Sequence, residues 1–469
     1  MRTTTTSIAG MGRSACRVWD RAVERPVLWV VLVAAAMRIT VAVALNVLDI
    51  WSLAPDAGQY MVIAEARAEG RLEEVWRGYG LSLYGTTRSF SWQLSFLFGL
   101  FGPYRLVAQM VAVIYGVATA GLTTAVALRL VRRPLALASG LVVALVPSQV
   151  LFSSVGLRES LAWALLAAAA VICSRLGPRA GRPSIVIGVA GFAVLFCLLA
   201  SLRVQTAILA LWCLTLALVV VRGHRPFRIG GAAVLFLVVP LLVGVSPGGV
   251  GFLLDSTGKL GTIRTYMAMN AESAIAVPVR LTETTVSPAV GTGVVAGGGA
   301  EAVLPVTVEQ DSSNVLGREE NLGPGGEKFV INLDGNAVVV HDDLSANLVA
   351  IPRGLVAVTL RPVPWEAGIR GKQLAAAFES IIWIPLFVLA GVGAWVRRRD
   401  SHLVALPASL VLVLTLSSAI TQGNLGTAFR HRGQILFALS ILAVAGIQAA
   451  MDHRQGGDGQ AVHGSSSGR

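Results

Sequence analysis

About ten stretches of this chain are each apolar for long enough to cross a bilayer, and that repetition leaves little choice of architecture. A spanning helix needs about 20 mainly apolar residues, because the hydrocarbon layer is roughly 30 Å thick and a helix rises about 1.5 Å per residue. The stretches run near 26–48, 104–131, 134–154, 157–174, 184–201, 204–221, 229–247, 379–396, 402–420 and 433–451. The expectation is an all-α polytopic membrane protein of about ten transmembrane helices. The composition agrees: 54% of residues are hydrophobic, 14% are charged, and the mean hydropathy is +0.69.

Arginines set the expected orientation, since short cytoplasmic loops keep an excess of positive charge. Arg2, Arg13, Arg17, Arg21 and Arg25 precede the first span, and Arg129, Arg132 and Arg133 follow the second. Arg175, Arg179 and Arg182, then Arg222, Arg225 and Arg228, then Arg397, Arg398 and Arg399 continue the alternation. Both termini are expected inside, in a plasma (inner) membrane. The net charge of +12 is explained by these loops and calls for no nucleic acid. The first apolar run is too long for a signal core, so it is expected to stay as a span. Cys16, Cys173, Cys197 and Cys213 lie on the inner tail or within spans, so no disulfide or cysteine metal site is expected.

The expected divisions are an inner tail at 1–25, a seven-span membrane domain at 26–248 with an exported loop at 49–103, a second exported region at 249–378, three C-terminal spans at 379–451, and a disordered inner tail at 452–469. In the first loop, Pro55 to about Arg77 reads as a surface helix, with Tyr60, Ile63, Ala64 and Arg67 at helical spacing. Phe90 to Leu100 reads as a second interfacial helix, ended by Gly102-Pro103. In the second region, 287–327 is rich in Gly, Ser, Thr and Val and reads as irregular. Phe329 to Leu333 and Ala337 to His341 read as strands around Asp334-Gly335-Asn336, and Asn347 to Lys372, with its prolines, as a return to the membrane surface.

Several charges fall where topology does not require them. Arg158 and Glu159 open the fourth span, Arg203 sits in the turn between the fifth and sixth, and Arg430-His431-Arg432 precedes the tenth. All are expected on the exported side. Guanidinium groups gathered there suit a phosphate or pyrophosphate, to which they donate paired hydrogen bonds while staying charged; taken singly, terminal arginines also snorkel to headgroups. Glu159 equally suits a helix start. Arg38 lies deep in the first span, where a charge is costly, and is expected to hold Asp56, to line a site from below, or to pack the bundle.

Asp49 and Asp56 are the carboxylates nearest the mouth of the first span. Asp56 opens a helix and has Tyr60 one turn later, near the membrane plane, which makes it the better candidate for taking a proton from a sugar hydroxyl. An ordinary helix N-terminal carboxylate and an interfacial tyrosine are the plainer readings. His341-Asp342-Asp343 is too short a cluster to argue a divalent ion, and no P-loop or dinucleotide fingerprint is present. The sequence therefore requires no cofactor and leaves a divalent metal open.

With Arg38 in the first span, Asp56 and Tyr60 opening the first loop, two interfacial helices, a long second span, and Leu145-Val146-Pro147-Ser148 and Ser153-Ser154 ahead of Arg158-Glu159, the chain resembles the glycosyltransferase C superfamily. That superfamily comprises polytopic enzymes such as protein O-mannosyltransferases and lipid A aminoarabinose transferases. The resemblance covers about 26–220 in layout, with a weaker match at Gly426-Thr427-Ala428-Phe429-Arg430-His431-Arg432. It implies a polyprenyl-phosphate-linked sugar as donor, a glycan, lipid or protein as acceptor, surrounding membrane lipids, and Asp56 as the base. The chain departs from the commoner pattern of paired acids, since Asp56 is followed by Ala57. A polymerase or ligase using a lipid-pyrophosphate glycan and a lipid-sugar transporter or flippase are the competing expectations; the second calls for charges through the depth of several spans and for discontinuous helices.

Overall fold

The computed structural model describes residues 19–50, 55–221, 224–257, 319–321, 328–331, 337–340, 344–365, 372–421 and 430–463. It is a helical membrane protein. Among the described residues, seven helices are long and apolar enough to cross a membrane: Pro26–Val47 (α1), Arg105–Ala127, Arg182–Ala200, Arg225–Val243, Ala376–Val396, Ser401–Thr421 and Leu436–His453. Arg133–Leu145 and Val204–Val220 are apolar but shorter.

In chain order, α1 is followed by α2 (Pro55–Ala68) and α3 (Leu72–Phe101). The surface helix expected to run to Arg77 stops at Ala68, because Gly70 takes φ +73° and lets the Arg71 amide bond back to Ala66. The following helix runs on for 30 residues and absorbs the expected separate segment at 90–100. Phe90, Leu94 and Phe98 form its buried stripe, while Trp92, Phe96 and Leu100 turn outward. Arg67 and Arg88 lie over the Trp92 ring, 4.1 and 5.0 Å from its centre.

The span expected at 134–154 is two helices, α5 (Arg133–Leu145) and α6 (Pro147–Phe152), following α4 (Arg105–Ala127). Pro147 drives Val146 out of the helical region, to ψ 123°, and its own fixed φ starts the next helix. The break exposes the last carbonyls of α5. Arg38 satisfies them: its guanidinium donates to the Val143 and Ala144 carbonyls at 3.0 and 3.1 Å and to Ser153 Oγ at 2.8 Å. Ser154 Oγ donates back to the Arg38 carbonyl at 3.1 Å. The expectation that Arg38 holds Asp56 or lines a substrate site is therefore corrected. It is fully buried and caps a broken helix.

Next come α7 (Glu159–Arg175), α8 (Arg182–Ala200), α9 (Val204–Val220) and α10 (Arg225–Ala233). The last widens into a π turn at Val234–Val238 and tightens into 3-10 turns at Val239–Val243, around Pro240, whose ring and missing N–H prevent a regular helix. After α11 (Val250–Thr257), β1 (Glu319–Asn321), β2 (Lys328–Ile331) and β3 (Ala337–Val340) form an antiparallel sheet in that order, with Phe329 opposite Val339. The two anticipated strands are thus present and paired, and β1 adds a third. The turn at 334–336, residues 341–343 and most of 287–327 lie outside the described residues.

The stretch expected to return the chain to the membrane surface begins within α12 (Leu344–Leu360), with Pro352 inside it. It is followed by α13 (Lys372–Val396), α14 (Ser401–Thr421) and α15 (Leu436–His463). Helix α15 continues past the expected boundary at 452: Arg132 donates to Asp452 at 2.8 Å and its amide donates to Gln448. That corrects the expectation of a disordered tail from 452 onward. Helices α13 and α15 meet backbone to backbone at Gly393 and Gly446, a small-residue contact that lets packing replace the hydrophobic drive absent in lipid.

Candidate functional site

The arginines segregate by end of the bundle. At one end, Arg129 donates to the Ser174 carbonyl, Arg132 pairs with Asp452, and Arg228 donates to the Leu176 and Gly177 carbonyls. At the other end, α1 closes in a left-handed residue, Asp49 at φ +49°, whose carboxylate meets Arg105 at the start of α4 at 2.6 Å. Here too start α2, α7, α9 and the turn at 430–432, so Asp56, Arg158, Glu159, Arg203, Arg430 and His431 converge.

Besides Asp49–Arg105, two further ion pairs organise this end. Arg203, at the residue before α9, donates from Nη2 to Glu159 Oε1 at 2.6 Å, with side chains only 18% and 2% exposed. Its Nη1 also donates to Nε2 of His431 at 2.6 Å. Accepting at Nε2 requires a neutral ring with its proton on Nδ1. Burial and the adjacent Arg203 push the His431 pKa down to about 3, which keeps the ring neutral. Glu159 Oε2 and Arg203 Nε have no hydrogen-bond partner among the described residues, leaving one acceptor and one donor open.

The second pair is Asp56 with Arg430: Nη1 donates to Oδ2 at 2.7 Å, with side chains 40% and 23% exposed for Asp56 and Arg430 respectively. The Arg430 guanidinium also lies 5.8 Å from the Phe152 ring. Tyr60, one turn after Asp56, is buried edge-on to Phe90 at 6.0 Å, with Arg158 5.6 Å from its ring centre. Burial raises the Tyr60 pKa, so its hydroxyl stays protonated. Arg158 donates to the Leu202 carbonyl at 3.1 Å, which ties the starts of α7 and α9 together.

Arg432 does not join this group, and its expected phosphate contact is corrected. It is buried, and it donates to the Ala357, Val358 and Arg361 carbonyls at the end of α12 and to Ser380 Oγ. A guanidinium there satisfies the unpaired carbonyls of a helix C-terminus. The rest of the weak motif at 426–429 lies outside the described residues.

The residue that sequence reasoning missed is Glu379, 4% exposed in α13. Its carboxylate accepts from the Ser148 amide at 2.7 Å, from Ser148 Oγ at 2.6 Å and from Trp383 Nε1 at 2.9 Å. The available signal was an acid inside an apolar run, hidden because 379 reads as the edge of a span. Among the described residues, no three His, Cys, Asp or Glu side chains stand close enough to hold a metal ion. No protein-family model, curated protein or solved structure matches the chain.

Proposed function

We propose that the protein is an integral membrane glycosyltransferase that moves a sugar from a polyprenyl-phosphate carrier to an acceptor on the exported face of the plasma (inner) membrane, in making an envelope polysaccharide or glycoprotein. One observation carries the reading: a part-exposed carboxylate, Asp56, stands with Arg158, Arg203 and Arg430 at one end of a helix bundle. The alternation of arginines along the chain supports an exported position for that end.

In this reaction the acceptor oxygen bonds to the anomeric carbon as the bond from that carbon to the phosphate oxygen breaks. The bonding pair leaves on the phosphate, and the hydroxyl proton goes to Asp56. The arginines stabilise the charge gathering on the departing phosphate, and a single displacement inverts the anomeric centre. Arg38 and Arg432 serve the fold that holds the site, each at the end of a helix. The resemblance of residues 26–220 to the glycosyltransferase C superfamily in layout supports the same assignment of Asp56.

The test is transfer by purified protein from a panel of radiolabelled polyprenyl-phosphate sugars, with Asp56→Asn alongside. Loss of a general base lowers the rate by about 10²–10⁴-fold. Equal transfer by both proteins removes Asp56 from the chemistry.

A lipid-sugar flippase is the second reading, favoured by the helix break at Val146-Pro147 and the buried Glu379 beside it. Both features are closed by hydrogen bonds within the protein, which weighs against a substrate path there. Movement of a labelled carrier across sealed proteoliposomes without any sugar transfer would decide for the flippase.

A further inference from the structure

The proposed base is not free in this structure: its Oδ2 accepts from Arg430. We infer that the donor's phosphate takes Arg430 from Asp56, so that binding of the donor itself releases the base. This rests on the donor reading above and adds an order of events to it.

The two ion pairs of the site differ in the way this exchange requires. Glu159–Arg203 is almost wholly buried, and Arg203 is held a second time by His431, so separating that pair would strand a charge away from water. Asp56–Arg430 differs at its acid: the arginines are alike at 23% and 18% exposed, but Asp56 is 40% exposed against 2% for Glu159, so water can solvate the Asp56 carboxylate when the pair parts and the pair contributes less. The first pair is frame; the second is exchangeable. While paired with Asp56, the Arg430 guanidinium also lies 5.8 Å from the centre of the Phe152 ring.

A phosphate is the stronger competitor for that guanidinium. It presents two acceptor oxygens in the spacing of the guanidinium fork, whereas Asp56 receives one bond from Nη1. It also interacts with Arg158 and Arg203 at the same end of the bundle, which a carboxylate fixed to the first turn of α2 does not bridge. Once Arg430 turns to phosphate, Asp56 Oδ2 loses its donor and accepts the acceptor hydroxyl. Transfer is then ordered, donor before acceptor.

The exchange is read as binding, independently of turnover. Undecaprenyl phosphate is titrated against detergent-purified wild type, Asp56→Asn, Arg430→Gln, Arg430→Lys and the Asp56→Asn/Arg430→Gln double variant, with the neutral alcohol undecaprenol and inorganic phosphate as separate arms. Removing the competing carboxylate tightens binding by about three- to fivefold in the Asp56→Asn protein, the scale of an exposed pair. Arg430→Gln weakens it by about tenfold or more, and Arg430→Lys by less. In the Arg430→Gln background, Asp56→Asn has no further effect.

If Asp56→Asn leaves affinity unchanged, weakens it, or tightens it equally with and without Arg430, the exchange is overturned while the donor reading stands. Binding no better than undecaprenol by every variant overturns the donor reading and the exchange with it. The same ordering with inorganic phosphate assigns the exchange to phosphate alone; the ordering with the lipid only assigns it to the lipid headgroup.

Discussion

Replacing Glu379 measures how much the break between α5 and α6 depends on one carboxylate. Three donors converge on it: the Ser148 amide, the Ser148 hydroxyl and the Trp383 indole. Glu379→Leu leaves all three without an acceptor in a buried site. Hydrogen bonds to a charged group contribute about 1.5–3 kcal/mol each, and the serine hydroxyl can turn elsewhere, so the expected loss from the other two is about 3–6 kcal/mol. Glu379→Gln is milder for a geometric reason. Two of the donors share Oε1, so an amide oxygen placed there keeps both, and only the Ser148 amide then faces an NH2 group. That single mismatch costs about 1–3 kcal/mol. Thermal unfolding of detergent-purified protein, followed by tryptophan fluorescence, gives the ordering wild type, Gln, Leu, spaced by several degrees at about 2 °C per kcal/mol. An unfolding temperature for Glu379→Leu equal to that of wild type would refute the reasoning, because it would mean that the break is held by packing alone.

Two further outcomes follow from local geometry. Gly393→Ala pushes α13 off α15, since an added Cβ would overlap the Leu442 carbonyl oxygen and approach the Gly446 nitrogen at 2.8 Å, both backbone atoms that cannot turn aside; it lowers thermal stability by about 1–3 kcal/mol or more, whereas Gly391→Ala, which meets nothing within 4 Å, leaves it unchanged. His431 sits neutral with its pKa held at about 3 against 6.5 for the free side chain, so the unfolded chain takes up a proton below pH 6.5 that the folded one refuses. Stability therefore falls as the pH drops through that window, by up to about 1.4 kcal/mol per pH unit, and is restored above it. Unfolding temperatures between pH 7.5 and 5 should show a shallower slope in His431→Gln than in wild type; an identical slope would remove His431 as the cause.

Hydropathy and arginine spacing were enough to read a polytopic helical protein, because a bilayer forces each spanning segment to satisfy its own backbone hydrogen bonds. The same measure misjudged 134–154. Leu145-Val146-Pro147-Ser148 is as apolar as its surroundings, and only the proline marks the break. It also missed the continuity of α3, where polar residues at 83–93 look like a loop in a running average yet alternate with Phe90, Leu94 and Phe98 at helical spacing. At the site, helix starts were readable: Asp56, Glu159 and Arg203 each lie within a residue of a helix N-terminus. Partner choice was not. Whether an arginine at a helix end meets a carboxylate, as Arg430 does, or the carbonyls of another helix, as Arg432 does, depends on a contact from another element. The two lie only two residues apart.

That division of neighbouring arginines bears on how a site of this kind holds its charge. Arg38 and Arg432 are buried where a cation in lipid would be costly, and each donates to carbonyls at a helix C-terminus, whose partial negative charge offsets its own. The acids of the converging group meet Arg203 and Arg430. Glu159 is committed there, locked between a buried guanidinium and the N-terminus of α7. Asp56, beside Arg158 and Arg203, combines part exposure with a single bond from Arg430, which suits the exchange of a resting partner for a substrate proton in the proposed reaction. A lone acid in place of an acidic pair is then consistent with the chemistry: a second carboxylate beside Asp56 would compete with phosphate for Arg430 and raise the cost of the exchange.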